Sequence, residues 1–188
     1  MELDHFIEIK KLYGAVASWA LWAESDSGDT SDLSIFDATP QNEKIKRLHS
    51  NFVFVALNIS GPLSQPFSNF HGGKRDFMLR DAVQGTALEG AYITDLIKNY
   101  EDKNASSVVS YFKKNKDELS AHLRSFIQEL DAIGANEDTI LVALGNGVFD
   151  LLTDSSMGHR VRKITHYSAP VSKLAYRKEV NDLLNWHG

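Results

Sequence analysis

Three short apolar runs, each bounded by turn-forming residues and separated by helix-length stretches, constrain this chain more than any other feature. They occupy residues 52–57, 92–97 and 139–144, and their length and enrichment in Val, Ile, Phe and Tyr mark them as buried strands. A weaker fourth run, 162–166, mixes charged residues with Ile164. Helical spacing fills the intervals. Residues 3–24 carry Phe6, Ile7, Leu12, Val16, Trp19 and Ala20 close to one face. Residues 107–133 repeat apolar positions with a break expected near Asn115, and Gly134 supplies a stop. Residues 171–186 close the chain with Leu174, Val180, Leu183 and Leu184 expected inward. This alternation predicts an α/β fold: a central four-stranded parallel sheet, helices on both faces and right-handed crossovers. Ligands in such sheets sit beyond the carboxyl ends of the strands. The loops of interest are therefore 58–73, 98–104, 145–150 and 166–171.

At 188 residues the chain has the size of one domain, able to bury roughly 70% of its unfolded surface. Residues 1–50 read as an N-terminal helix with an acidic loop, mobile over 25–42, and residues 51–188 as the core. With no cysteine in the sequence, disulfides, thiolate metal sites and a cysteine nucleophile are excluded. The start Met-Glu-Leu-Asp-His does not resemble a secretory signal. No apolar stretch approaches the ~18 residues of a membrane span. A soluble, cytoplasmic protein is the expectation. The net charge of −5 argues against coating nucleic acid by electrostatics alone. The charge is uneven, however: residues 1–50 hold 9 acidic and 5 basic groups, whereas residues 158–188 hold 6 basic and 2 acidic ones. That C-terminal cluster, including Arg160, Arg162 and Lys173, is either a solvated face or one that meets phosphates.

The loop after the first strand is the richest in chemistry. It begins with an amide at the strand tip, Asn58, and continues through Pro66-Phe67-Ser68-Asn69-Phe70-His71-Gly72-Gly73. Two large aromatics among glycines and amides either anchor the loop to the core or face a ligand. The fourth run ends in Thr165-His166-Tyr167-Ser168-Ala169-Pro170, which places His166 at another strand tip on the same edge of the sheet.

Taken together, five segments resemble the uracil-DNA glycosylase superfamily. Ala56-Leu57-Asn58-Ile59 is similar to its first motif, with the asparagine kept and the flanking glycine and proline replaced. Pro66-Phe67 matches a following Pro-Phe pair. Tyr92-Ile93-Thr94-Asp95-Leu96-Ile97-Lys98 is similar to a second-strand Tyr-Ile-Thr-Asn pattern ending in lysine. Val142-Ala143-Leu144-Gly145-Asn146 fits a Leu-Gly helix start. His166-Tyr167-Ser168-Ala169-Pro170 loosely matches a His-Pro-Ser-Pro motif. The likeness spans residues 52–185, in order and spacing, and leaves out the first fifty.

The resemblance implies a three-layer α/β/α fold like that of the glycosylases, and hydrolysis of the N-glycosidic bond of an extruded, damaged or deaminated base in DNA. Asn58 would hold the attacking water, a positioning role, since an amide is a poor base at neutral pH. His166 would donate to a carbonyl oxygen of the departing base. Phe67, with Phe70 beside it, would stack on the base, worth about 1–3 kcal/mol. Ser168 and the basic Arg160, Arg162 and Lys173 would hold DNA phosphates. Neither metal nor redox cofactor is implied. Asp95 stands where the family has an asparagine. An ionised carboxylate only accepts hydrogen bonds, so it suits a base edge offering donors better than it suits uracil. It is otherwise protonated, or turned away as a cap.

Other chemistries lack their signatures. The seven histidines show no His-x-x-x-His spacing. The Gly145-Asn146-Gly147 turn lacks both phosphate-loop and dinucleotide patterns, and no serine sits in a Gly-x-Ser-x-Gly elbow. Two further functions stay open: a non-catalytic module binding a nucleobase or nucleic acid, and a hydrolase of free nucleosides.

Overall fold

The computed structural model describes residues 1–25, 28–59, 61, 63, 65–155 and 158–185. Asp26 and Ser27 of the acidic loop, Pro62 of the first strand-end loop and Trp186 of the last predicted helix lie outside the described residues. In chain order the elements are α1 (Leu3–Tyr13), β1 (Ala17–Trp19), β2 (His49–Asn58), α2 (Asp76–Val83), β3 (Ala91–Ile97), α3 (Ala105–Lys114), α4 (Lys116–Ala132), β4 (Ile140–Leu144), α5 (Asn146–Asp154), β5 (Arg160–Ile164) and α6 (Lys173–Leu184).

The sheet has five strands rather than four, in the order β1-β3-β2-β4-β5. Four are parallel, and β1 pairs antiparallel with β3 through Ala17–Thr94, Ser18–Ile93 and Trp19–Tyr92. The added strand comes from the stretch expected to be one long helix. Gly14 ends α1 by donating its N–H to Lys10 O, and a Cβ on Gly14 would collide with that carbonyl oxygen and lie 3.0 Å from Pro66 Cβ. The three residues of β1 are all buried, so their apolar run has no period that separates strand from buried helix.

The sheet divides two cores. On one face, α1, α3, α4 and α5 pack Phe6, Ile9, Val108, Phe112, Phe126, Leu130, Val148 and Leu151 onto Val53, Val55, Tyr92 and Leu141. On the other, α2 and α6 pack Met78, Leu79, Tyr176 and Val180 onto Phe54, Ile93, Val142 and Ile164. Adjacent strand residues point to opposite faces, so runs apolar on both faces are what such a sheet requires. The break at Asn115 separates α3 from α4, and Gly134 follows in the left-handed region, φ 75°.

Three expectations change. Residues 25–42 are not loop throughout: Ser34–Phe36 form a 3-10 turn whose Ile35 and Phe36 are buried, because two large apolar side chains outweigh the acidic neighbours. The last strand runs Arg160–Ile164, so His166 lies just beyond it. Leu174 is not inward but 81% exposed, since it sits in the first turn of α6 on the face away from α2. Among the described residues no helix is long and apolar enough to cross a membrane.

A buried ionic network fixes β3 to α4. Glu129, fully buried, accepts from Tyr92 Oη and Thr94 Oγ1, both at 2.8 Å. Its other oxygen is 2.8 Å from Lys98 Nζ, which also donates to Thr94 Oγ1 and the Asp95 carbonyl.

Candidate functional site

The carboxyl ends of the parallel strands open into a cleft of about 650 Å³. Asn58 from the end of β2, Asp95 from β3, Phe70 from the loop after β2, and His166 and Ser168 from the segment after β5 all line it. So do the first turn of α5, residues 145–148, and Asn69, Asp76 and Tyr167. Gly145, at φ 100° and ψ 172°, takes a conformation open in practice only to glycine. It donates its N–H to Ile164 O at 2.8 Å, tying the ends of β4 and β5 together.

Asn58 is held by its amide nitrogen. Nδ2 donates to the carbonyls of Ile59 (3.0 Å), Tyr100 (2.9 Å) and Asp102 (2.8 Å). Carbonyls accept only, so the orientation of the amide is decided. The group left to a ligand is the acceptor Oδ1.

His166 is fixed in one tautomer. Its Nδ1 accepts from the Ser168 backbone N–H at 3.2 Å and lies 2.8 Å from Ser168 Oγ. A backbone N–H can only donate, so the ring proton sits on Nε2. Burial pushes the imidazole down to about 4, and the ring stacks on Tyr167 with centroids 4.5 Å apart. His166 is thus a neutral donor at physiological pH. Both Ser168 Oγ and the Ser168 N–H are engaged with His166 Nδ1.

Asp95 is 3% exposed. Its Oδ2 accepts from Asn69 Nδ2 at 2.8 Å, so it faces the loop after β2 rather than capping the next segment. Burial raises it to about 6, opposed by the Asn69 bond and the Lys98 charge. Asp76 is also buried and raised by desolvation, while the Gly73 N–H and the Tyr167 hydroxyl bond to it. A carboxyl whose folded pKa exceeds its unfolded 3.8 favours the folded state when protonated, and that advantage is lost as pH rises through about 6. Asp95→Asn should therefore stabilise the protein by about 3 kcal/mol at pH 8 and roughly half that at pH 5. Urea denaturation at the two values measures this. Equal stability of the two proteins at pH 8 would refute it.

Phe67 does not reach the cleft. It is wholly buried, with ring centroids 5.6 Å from Phe6 and 5.4 Å from Phe36, and Phe70 is the phenylalanine that lines the cleft. The reason is the N-terminal segment, which supplies both an apolar bed and polar partners. Phe67 N–H donates to Gly14 O at 2.7 Å, and Ser18 Oγ donates to Phe67 O at 2.9 Å. Phe67 and Phe70 have φ of 63° and 68°, a conformation costing side-chain-bearing residues about 1–3 kcal/mol each. His71 is wedged between Trp22 and Phe36 and pushed by burial to about 4, a structural placement.

The three basic residues expected at phosphates are elsewhere. Arg160 opens β5 at the opposite end of the sheet and donates to Asp138 O at 3.2 Å. Arg162 lies mid-strand beside Val142, and Lys173 is paired with Asp81 on α2. Their charges cluster in sequence but not in space. The cations lining the cleft are Lys74, Arg75 and Lys103, the first two announced by the Gly-Gly-Lys-Arg-Asp sequence at 72–76. Arg75 is fixed by the carbonyls of Tyr167 (3.2 Å) and Val171 (3.1 Å). Asn69, Asp76 and Tyr167 were also missed as site residues. Among the described residues, no group of three or more His, Asp or Glu side chains is gathered that could hold a metal ion. No family model, curated protein or solved structure matches the chain.

Proposed function

We propose that the chain is a DNA glycosylase that hydrolyses the N-glycosidic bond of a damaged or deaminated base, on a three-layer glycosylase-like fold. The observation that carries this is the meeting of Asn58 at the end of β2, Asp95 inside β3 and His166 just beyond β5 in one cleft. Cleaving the bond creates positive charge on the sugar and negative charge on the base. Asn58 Oδ1 accepts a hydrogen from the attacking water and so places it. The Nε2–H of His166 faces the charge building on the base carbonyl, a preorganised donor of the kind that stabilises transition states most. Phe70 stacks on the extruded base, recovering part of the unstacking cost. Lys74 and Lys103 meet the flanking phosphates. This chemistry asks for neither a metal nor a redox cofactor. With an amide in place of a carboxylate at position 58, general-base assistance worth ~10²–10⁴-fold is forgone at that position, so turnover is slow.

Duplexes carrying uracil, hypoxanthine, xanthine or 8-oxoguanine, incubated with the protein and then treated with alkali, test the proposal. Strand scission at one or more lesions is expected, with Asn58→Ala slowing it by about 10²-fold. The absence of scission on every duplex, at stoichiometric protein and low salt, would remove it. A second reading, a non-catalytic nucleobase-binding module, draws on the placement of Arg160, Arg162 and Lys173 away from the cleft. Thermal stabilisation by nucleosides without scission would select it.

A further inference from the structure

We infer that the cleft reads a guanine-type edge, one acceptor followed by two donors, rather than the acceptor–donor–acceptor edge of uracil. This deepens the glycosylase proposal by naming the base class, and for excision it rests on that proposal.

The polar atoms left over in the cleft carry the inference. Asn58 spends its amide hydrogens on main-chain carbonyls and offers only Oδ1. Asn69 does the same. Its Nδ2 donates to Val16 O at 3.3 Å and Asp95 Oδ2 at 2.8 Å. Val16 O can only accept, which fixes the amide and leaves Oδ1 to the cleft. Asp95, ionised, only accepts, and each of its oxygens has room for a further hydrogen bond. Three neighbouring side chains therefore present oxygen and no hydrogen. The side-chain amide and imidazole donors on the cleft lining are His166 Nε2–H, half-buried, and the exposed Asn146 Nδ2, whose Oδ1 accepts from Lys163 Nζ at 2.8 Å. Of the cations lining the cleft, Lys74 and Lys103 are exposed at the rim, and Arg75 is turned to carbonyls.

A base that fits must give a carbonyl to His166 and hydrogens to Asp95. Guanine and 8-oxoguanine do so, with O6 followed by N1–H and the 2-amino group. A carboxylate takes the last two as a pair. Uracil and xanthine set a second carbonyl where the amino group would be, against negative charge. Hypoxanthine sets a C–H there and leaves one carboxylate oxygen unmatched. The cleft volume, about 650 Å³, accommodates a two-ring base.

Two measurements at pH 7.5 test this. Isothermal titration with guanosine, inosine and uridine reads the edge without requiring catalysis. Guanosine is expected to bind on the order of 10- to 100-fold more tightly than uridine, and Asp95→Asn to reverse that order by restoring a donor. Excision from duplexes holding 8-oxoguanine, uracil or hypoxanthine reads the same preference in the reaction. Uridine bound as tightly as guanosine, or uracil excised as fast as 8-oxoguanine, overturns the inference while the glycosylase proposal stands. Guanosine preferred but no duplex cut removes the glycosylase proposal and keeps the edge assignment. If no nucleoside binds at millimolar concentration and no duplex is cut, both fall.

Discussion

Replacing Glu129 with alanine is expected to remove about 3–5 kcal/mol of stability, the range for breaking a buried ion pair from one side. The carboxylate has no exposed surface and serves three groups at once. Without it, the Tyr92 and Thr94 hydroxyls lose their acceptor, and Lys98, whose side chain is only 12% exposed, loses its counter-charge. Marginal domains have a total of about 5–15 kcal/mol, so the variant should be partly unfolded at 37 °C. The double variant Glu129→Leu, Lys98→Met removes both charges together and should lose much less. Urea denaturation of the set decides the matter. A loss under about 1 kcal/mol in the single variant would mean that the network is looser than its distances indicate.

His166→Ala is expected to slow excision by about 10²–10³-fold, the effect of deleting one preorganised donor, with little change in DNA affinity. Because the imidazole is neutral down to about pH 4, no limb from its titration should appear between pH 6 and 8. Asp95, which titrates near 6, should produce a fall in guanine-edge excision below that pH, and the fall should persist in the His166 variant. Single-turnover rates from pH 5 to 8 separate the two groups. A limb near 6.5 that disappears with His166 would show instead that a charged imidazole acts.

The parallel strands were legible because full burial on both faces leaves a mark in sequence: every residue of the run at 92–97 is buried, and every residue but Ile140 of the run at 139–144. The break at Asn115 and the stop at Gly134 were legible from local backbone chemistry. By contrast, β1 escaped because three buried residues have no period. The positions of Asn58, Asp95 and His166 at one sheet edge followed from parallel topology, which puts all strand tips on the same side. Phe67 and Phe70 share one loop, one residue type and one backbone conformation, and nothing local distinguishes them. Their separation, one into the core and one onto the cleft, depends on Phe6, Gly14 and Ser18, which lie 61, 53 and 49 positions before Phe67. The misplaced phosphate contacts have the same origin: β5 is an edge strand, and charges along such an edge guard it from pairing as readily as they bind anions.

The contact from Val16 O to Asn69 to Asp95 joins the outermost strand segment to the floor of the cleft in two steps. The strand is short and lies at a sheet edge, but its residues are all buried, so opening it exposes apolar surface as well as breaking this contact. When it opens, Asn69 loses the carbonyl that fixes its amide, and Asp95 loses the partner that orients its carboxylate. Opening at this edge and loosening of the Asn69 and Asp95 side chains are therefore linked. The orientation of the Asp95 carboxylate is tied to the local opening free energy of residues 16–19 as well as to the global stability of the domain.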